Sequence, residues 1–137
     1  CNCGARGCLE QFAGKDALLR RAGLPLTYST EELRAVALGG NLEALAALND
    51  AAGALGRTTA AAMNLVDVDR LILGGAYAVL HDLLRPGIEA ELSTRVMARR
   101  WIPLHVEGAV SGEMASLTGA ALRVIDGVVA HPTPWVA

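Results

Sequence analysis

Three cysteines stand within the first eight residues as Cys1-x-Cys3-x4-Cys8, and the stretch between the last two reads Gly4-Ala5-Arg6-Gly7. A thiolate ligand needs its partners inside one coordination sphere, and two glycines let the backbone fold tightly enough to aim three sulfurs at one point. The chemistry this suggests is a zinc site with one ligand missing; the plainer reading is a glycine-rich turn with incidental thiols. A disulfide framework fits less well, because an odd count at so short a spacing strains the loops and leaves one thiol over. In a reducing compartment metal binding is the better use. Cys1 also admits a third use, as an N-terminal nucleophile with its own amine as base. Such hydrolases need a strand-rich layered fold behind the cysteine, and the patterns below are mostly helical.

Two further places have chemical potential. Glu10 follows the last cysteine by two residues at a predicted helix start, where a braced loop would hold its carboxylate ready to accept hydrogen bonds from ligand hydroxyls. The plainer reading is an acidic residue in a first helical turn, favoured by the helix dipole. Gly74-Gly75 follows the apolar run Arg70-Leu71-Ile72-Leu73, and missing side chains there let backbone amides approach a nucleotide. Taken alone, a Gly-Gly after a strand is most often a tight turn. His105 alternates with apolar neighbours and reads as a sheet-face residue. Arg20-Arg21 and Arg99-Arg100 sit near helix ends without the interleaved aromatics that nucleic acid binding favours.

These residues need elements to position them. Leu9-Glu10-Gln11-Phe12-Ala13 begins a helix predicted to run to about Ala22, where Gly23 and Pro25 stop it. Ser29 and Glu32 form a capping-box pattern ahead of a short helix ending at Gly39-Gly40. Leu45, Leu48, Ala52 and Leu55 step by three and four, predicting a long helix towards Leu65 with one apolar face. Arg70–Leu73 reads as a buried parallel strand. Leu80, Leu84, Ile88, Leu92 and Val96 mark another helix, kinked or restarted at Pro86. A second strand is predicted over Leu104-His105-Val106-Glu107. Leu117, Ala121, Val124 and Val128 then describe a last helix, in which Gly119 reads as a close-packing contact, and residues 131–137 read as a loose tail.

With 137 residues the chain is long enough for one domain. At 53% hydrophobic and 19% charged it belongs among globular chains. Leu, Val, Ile and Ala must supply most of the core, since only two Trp, two Tyr and one Phe are present. A net charge of -2 with scattered basic residues excludes the basic face that DNA binding by this segment would need. No apolar run approaches the roughly 20 residues needed to cross a bilayer, and no signal peptide precedes the cysteines, which predicts a cytoplasmic location. Two strands alone make no stable sheet for helices to cover, so either the chain pairs with other strands or it is part of a larger domain. A start inside a metal loop favours the latter.

The segment Cys1-Asn2-Cys3-Gly4-Ala5-Arg6-Gly7-Cys8-Leu9-Glu10 closely resembles the cysteine signature of the ROK family, the repressors, open reading frames and kinases. Asn64-Leu65-Val66-Asp67-Val68-Asp69-Arg70-Leu71-Ile72-Leu73-Gly74-Gly75 resembles that family's strand-to-glycine adenosine segment. Gly112-Glu113-Met114-Ala115-Ser116-Leu117-Thr118-Gly119-Ala120-Ala121 resembles its C-terminal helix. The resemblance implies an α/β, actin-like and ribonuclease-H-like two-lobed fold, of which residues 1–137 would be the latter part of the second lobe. It also implies a structural zinc held by Cys1, Cys3, Cys8 and a histidine lying before them; His81, His105 and His131 match no such position. Glu10 would contact the sugar, and Gly74 and Gly75 would lie near adenosine if the parent is a kinase.

The resemblance further implies that a kinase's general base and phosphate loops lie before Cys1, so that ATP and magnesium matter only in that case and no catalytic residue falls here. Gly74-Gly75-Ala76-Tyr77 in place of a three-glycine turn, with an Ala- and Arg-rich texture and the ending Asp126-Gly127-Val128-Val129-Ala130-His131-Pro132, looks more like the family's regulators. The favoured expectation is the sugar-sensing part of a transcriptional repressor; the alternative is the C-terminal part of an ATP-dependent, glucokinase-like sugar kinase. The implied partners are a small sugar, a second copy in a homo-oligomer such as a dimer, and DNA only through an N-terminal domain outside this chain, with no membrane.

Overall fold

A computed structural model describes residues 1–110 and 114–133. The first predicted helix is two: α1 over Glu10–Ala13 and α2 over Lys15–Arg21, separated by Gly14 in an extended conformation (φ -63, ψ 149). Glycine has little helix propensity. A Cβ at position 14 would lie 2.5 Å from the Glu10 carbonyl oxygen, so the chain can turn here only because none is present. The chain leaves α2 through Gly23 at φ 66, with Leu24 N–H donating to Leu19 C=O at 2.9 Å and Gly23 N–H to Arg20 C=O at 3.2 Å. This pair of reversed bonds is the Schellman arrangement that satisfies terminal carbonyls.

The third helix, α3 over Thr30–Leu38, carries the predicted capping box in both directions. Glu32 N–H donates to Ser29 Oγ at 3.1 Å and Ser29 N–H donates to Glu32 Oε2 at 2.6 Å. Gly39-Gly40 ends it as read from the sequence. Asn41 then caps the long helix α4, Leu42–Val66, by accepting from Ala44 N–H at 2.8 Å.

One face of α4 is buried through Ala44, Ala47, Leu48, Ala51, Ala52, Leu55, Ala60 and Met63. Small side chains on that face let a neighbouring helix approach closely. Strand β1, Arg70–Leu73, follows, then the short α5, Ala76–Val79, and α6, His81–Arg95. The fresh start falls at Leu80 instead of Pro86, and α6 runs unbroken through Pro86. Two glycines set the α4–α6 distance. A Cβ on Gly56 would lie 2.6 Å from Glu91 Cβ, and one on Gly87 would lie 2.7 Å from Ala52 Cβ.

A 3-10 turn over Met97–Arg100 leads to β2, His105–Gly108, one residue later than read from the sequence. The strands pair in parallel, Arg70 opposite His105 and Leu73 opposite Gly108. Leu73 and Val106 face the core, while Ile72 is 60% exposed on the other face beside the Arg70–Glu107 ion pair. Leu18, Leu19, Leu33, Leu48, Leu80, Leu84, Ile88, Leu92 and Val96 are fully buried where α2, α3, α4, α6 and the sheet meet. Each such side chain contributes about 1.5–3 kcal/mol when removed from water.

The last helix, α7 over Ala115–Ala130, has no buried residue, and its apolar positions Leu117, Leu122, Val124, Ile125 and Val129 lie in the open. The close-packing contact read for Gly119 is not made among the described residues: a Cβ there would meet nothing within 4 Å. Gly112 and Glu113 of the motif, and the tail from Pro134 onward, lie outside the described residues.

Candidate functional site

The cysteine loop is built by two left-handed glycines, Gly4 at φ 81 and Gly7 at φ 76, a backbone region costly for a side-chain-bearing residue. Gly4 N–H donates to Cys1 C=O at 3.0 Å and closes the first turn. The loop brings the sulfurs of Cys1, Cys3 and Cys8 within 4.8 Å of one another, with Cys3 Sγ 3.3 Å from Cys8 Sγ. Thiolates on a tetrahedral zinc, each about 2.3 Å from the metal, stand about 3.8 Å apart. The three thiols therefore fit such an ion with only small adjustment.

The Ala5 backbone amide and then the Cys8 side chain hold the Cys3 thiol below its ordinary value, which favours the thiolate that a metal takes. Among the described residues no histidine or carboxylate joins the group. A Cβ added to Gly108 would lie 3.3 Å from the His81 side chain, His105 stands opposite Arg70 in the sheet register, and His131 follows the end of α7.

Helix α1 grows directly out of this loop: Gln11 N–H donates to Cys8 C=O at 3.0 Å, and Ala13 N–H to Leu9 C=O at 2.9 Å. Glu10 therefore moves with the cysteines. Its carboxylate folds back over Gly14, where an added Cβ would lie 2.2 Å from Oε1. A cavity of about 210 Å³ opens beside it, lined by Glu10, Gly14, Lys15, Thr30, Gly74 and Tyr77 among others. The structure thus brings Glu10 and Gly74 to one cavity, although they are far apart in sequence; Gly75 does not line it. Gly75 instead takes φ 57 and ψ -135, a conformation essentially reserved for glycine, and starts α5.

Tyr77 ties the two motifs together. Its hydroxyl donates to the Ala13 carbonyl at 3.1 Å, spanning from the glycine turn to the end of α1. Burial, and then the negative charge of Glu10, push the Tyr77 phenol up from its ordinary value, so it stays protonated and keeps donating. A carboxylate, an ammonium group and hydroxyls around a small cavity suit a ligand rich in hydroxyls. Gly14, Lys15 and Thr30 were missed in the sequence. The glycine interrupting Ala13-Gly14-Lys15 inside an otherwise helical pattern was the available signal.

Comparison with known proteins follows the same lines. The sequence profile of the ROK family matches residues 1–126. A kanosamine kinase of Amycolatopsis mediterranei is 35% identical over 124 residues, 88% of this chain and 40% of its own length. The DNA-binding transcriptional repressor Mlc of Escherichia coli is 27% identical over 133 residues, 89% of this chain and 33% of its own. Among solved structures, a ROK family glucokinase from Streptomyces griseus, in complex with glucose and AMPPNP, matches with a TM-score of 0.73 at 25% identity. That match covers 88% of this chain and 45% of the glucokinase. The chain thus spans less than half the length of the proteins it resembles. Its elements are those of an actin-like, ribonuclease-H-like lobe.

Proposed function

Because the chain belongs to the ROK family, we propose that it carries the sugar-contacting part of a larger two-lobed protein, with Glu10 accepting hydrogen bonds from sugar hydroxyls. Cys1, Cys3 and Cys8 would hold a structural zinc, which when bound fixes the loop and supplies no reaction step. The chain's own residues do the rest. Gly14 leaves room for the Glu10 carboxylate, Cys8 C=O anchors the first turn of α1, and Tyr77 bolts that turn to the strand end.

We favour the sugar-sensing part of a transcriptional repressor, and one observation carries the choice: the Tyr77 ring lies at the glycine turn with its hydroxyl engaged by Ala13. In that arrangement the turn is tied to the end of α1, and the ring would stand in the way of an adenosine approaching the turn. Sugar binding would then close the two lobes and lower operator affinity through a population shift, with DNA held by an N-terminal domain outside this chain. The kinase reading has its own support in the 35% identity to a kanosamine kinase. ATP and magnesium would enter only there.

The test uses the full-length protein with a panel of hexoses. A repressor releases operator DNA as sugar is added and forms no ADP from ATP. Sugar-dependent ADP formation, with no change in DNA binding, establishes the kinase instead.

A further inference from the structure

Away from the sugar cavity, a groove of about 460 Å³ runs between α6 and the segment that leads into β2. Its floor is apolar: Leu92 from α6, Ile102, Pro103 and Leu104 from the connection, and Val106 from the strand. Its rim carries Arg99 and Arg100. Six other arginines are matched, Arg21 with Asp50, Arg34 with Asp82, Arg57 and Arg95 with Glu91, Arg70 with Glu107, and Arg85 with Glu89, and the remaining basic residues lie outside this groove. Glu89 is the one acidic residue lining this groove, and Arg85 neutralises it at 2.7 Å. Among the described residues, Arg99 and Arg100 have no carboxylate partner.

Arg99 is further fixed in place, its guanidinium donating to the Val96 carbonyl at 3.0 Å. The same short turn holds Met97, 65% exposed, and Trp101, 80% exposed. Arg, Trp and Met are the residue types enriched where proteins bind proteins. Two uncompensated guanidinium groups above an apolar trough call for carboxylates flanking an apolar ridge.

We propose that this groove docks an acidic amphipathic helix of a partner protein, its leucine-like face in the trough and its carboxylates on Arg99 and Arg100. The site is independent of the sugar reading, since it shares no residue with the cavity at Glu10.

The test is a binding titration of the full-length protein against a labelled synthetic helix with leucines on one face and glutamates beside them. The isosteric control carries lysines for the glutamates. Wild type should bind the acidic helix, lose affinity as salt is raised, and quench or shift Trp101 emission on binding. Arg99→Glu/Arg100→Glu should bind about tenfold more weakly or worse, because two attractions become repulsions. Should that variant misfold, Arg99→Gln/Arg100→Gln should still show several-fold loss with an unchanged circular dichroism spectrum. The proposal is overturned if the acidic helix does not bind, if the lysine helix binds equally, or if the variants bind like wild type. It is also overturned if vesicles with anionic lipid capture the protein in preference to the helix. Loss of a homodimer on charge reversal, with helix binding untouched, would assign the face to a second copy and overturn it too.

Discussion

The α4–α6 contact provides a prediction whose sign depends on geometry alone. Gly53 and Gly87 both lie inside helices and both cost helix propensity, so replacing either with alanine gains about 1 kcal/mol in isolation. At Gly87 the new Cβ would sit 2.7 Å from Ala52 Cβ, an atom fixed to the backbone of α4. Two methyl carbons in contact need about 3.5–4.0 Å, so the helices must part by about 1 Å along a seam that buries Leu48, Leu55, Leu84, Ile88 and Leu92. Overpacking of that kind costs about 1–3 kcal/mol. The net result for Gly87→Ala is a loss of about 1 kcal/mol, or about 3–5 °C in Tm for a chain of this size. At Gly53 the nearest atom is the Arg57 guanidinium at 3.1 Å, the far end of a flexible and half-exposed side chain. Gly53→Ala should therefore stabilise by about 0.5–1 kcal/mol. Urea and thermal denaturation of the two variants beside wild type decide the matter. If Gly87→Ala stabilises as Gly53→Ala does, the close approach of α4 and α6 is not what that glycine serves.

Other outcomes follow from the site and its supports. Tyr77→Phe removes the donor to the Ala13 carbonyl and should cost about 0.5–1.5 kcal/mol in denaturant titration. The same variant should loosen sugar binding by a few-fold if the bolt positions α1. Cys8→Ala should lower bound zinc in mass-spectrometric metal analysis of the full-length protein, with no change expected from Cys-to-Ala substitution in charge-independent folding of α4 and α6. Arg34 holds the Asp82 carboxyl below the usual carboxylate range, chiefly through its hydrogen bond. A depressed folded value gives stability that is present at neutral pH and lost as the pH falls through that value. Arg34→Gln should therefore lower stability only slightly at neutral pH, because the pair is largely exposed, and the difference from wild type should shrink in acid.

Local signals were readable where a single residue type dictates the backbone. Ser29 with Glu32 and the glycines after α2 and α3 formed the caps their sequences indicate. The strand at Arg70–Leu73 was legible as an apolar run closed by two glycines. What was not legible depends on contacts between distant segments. The split of the first helix at Gly14 is a local exception, since that glycine was itself the signal and only the lack of a Cβ lets the backbone turn there beside the Glu10 carbonyl. Helix α6 begins after Leu80, where its apolar positions begin, yet it runs on through Pro86, which the residue type alone does not indicate. The cavity shared by Glu10 and Gly74 joins residues whose separation in sequence hides their nearness. The amphipathic pattern of α7 was correctly read as a helix, yet its apolar face finds no cover among the described residues, since a pattern names a face and not its partner.

The central claim is that the cysteine loop holds the Glu10 carboxylate where it accepts sugar hydroxyls. Calorimetric titration of zinc-loaded, full-length protein with the hexose that binds it tests this most directly, with Glu10→Gln compared with wild type. The variant keeps the side chain's shape and loses its charge, so affinity should fall by about tenfold to a hundredfold with zinc content unchanged. Equal affinity in the two proteins would contradict the account.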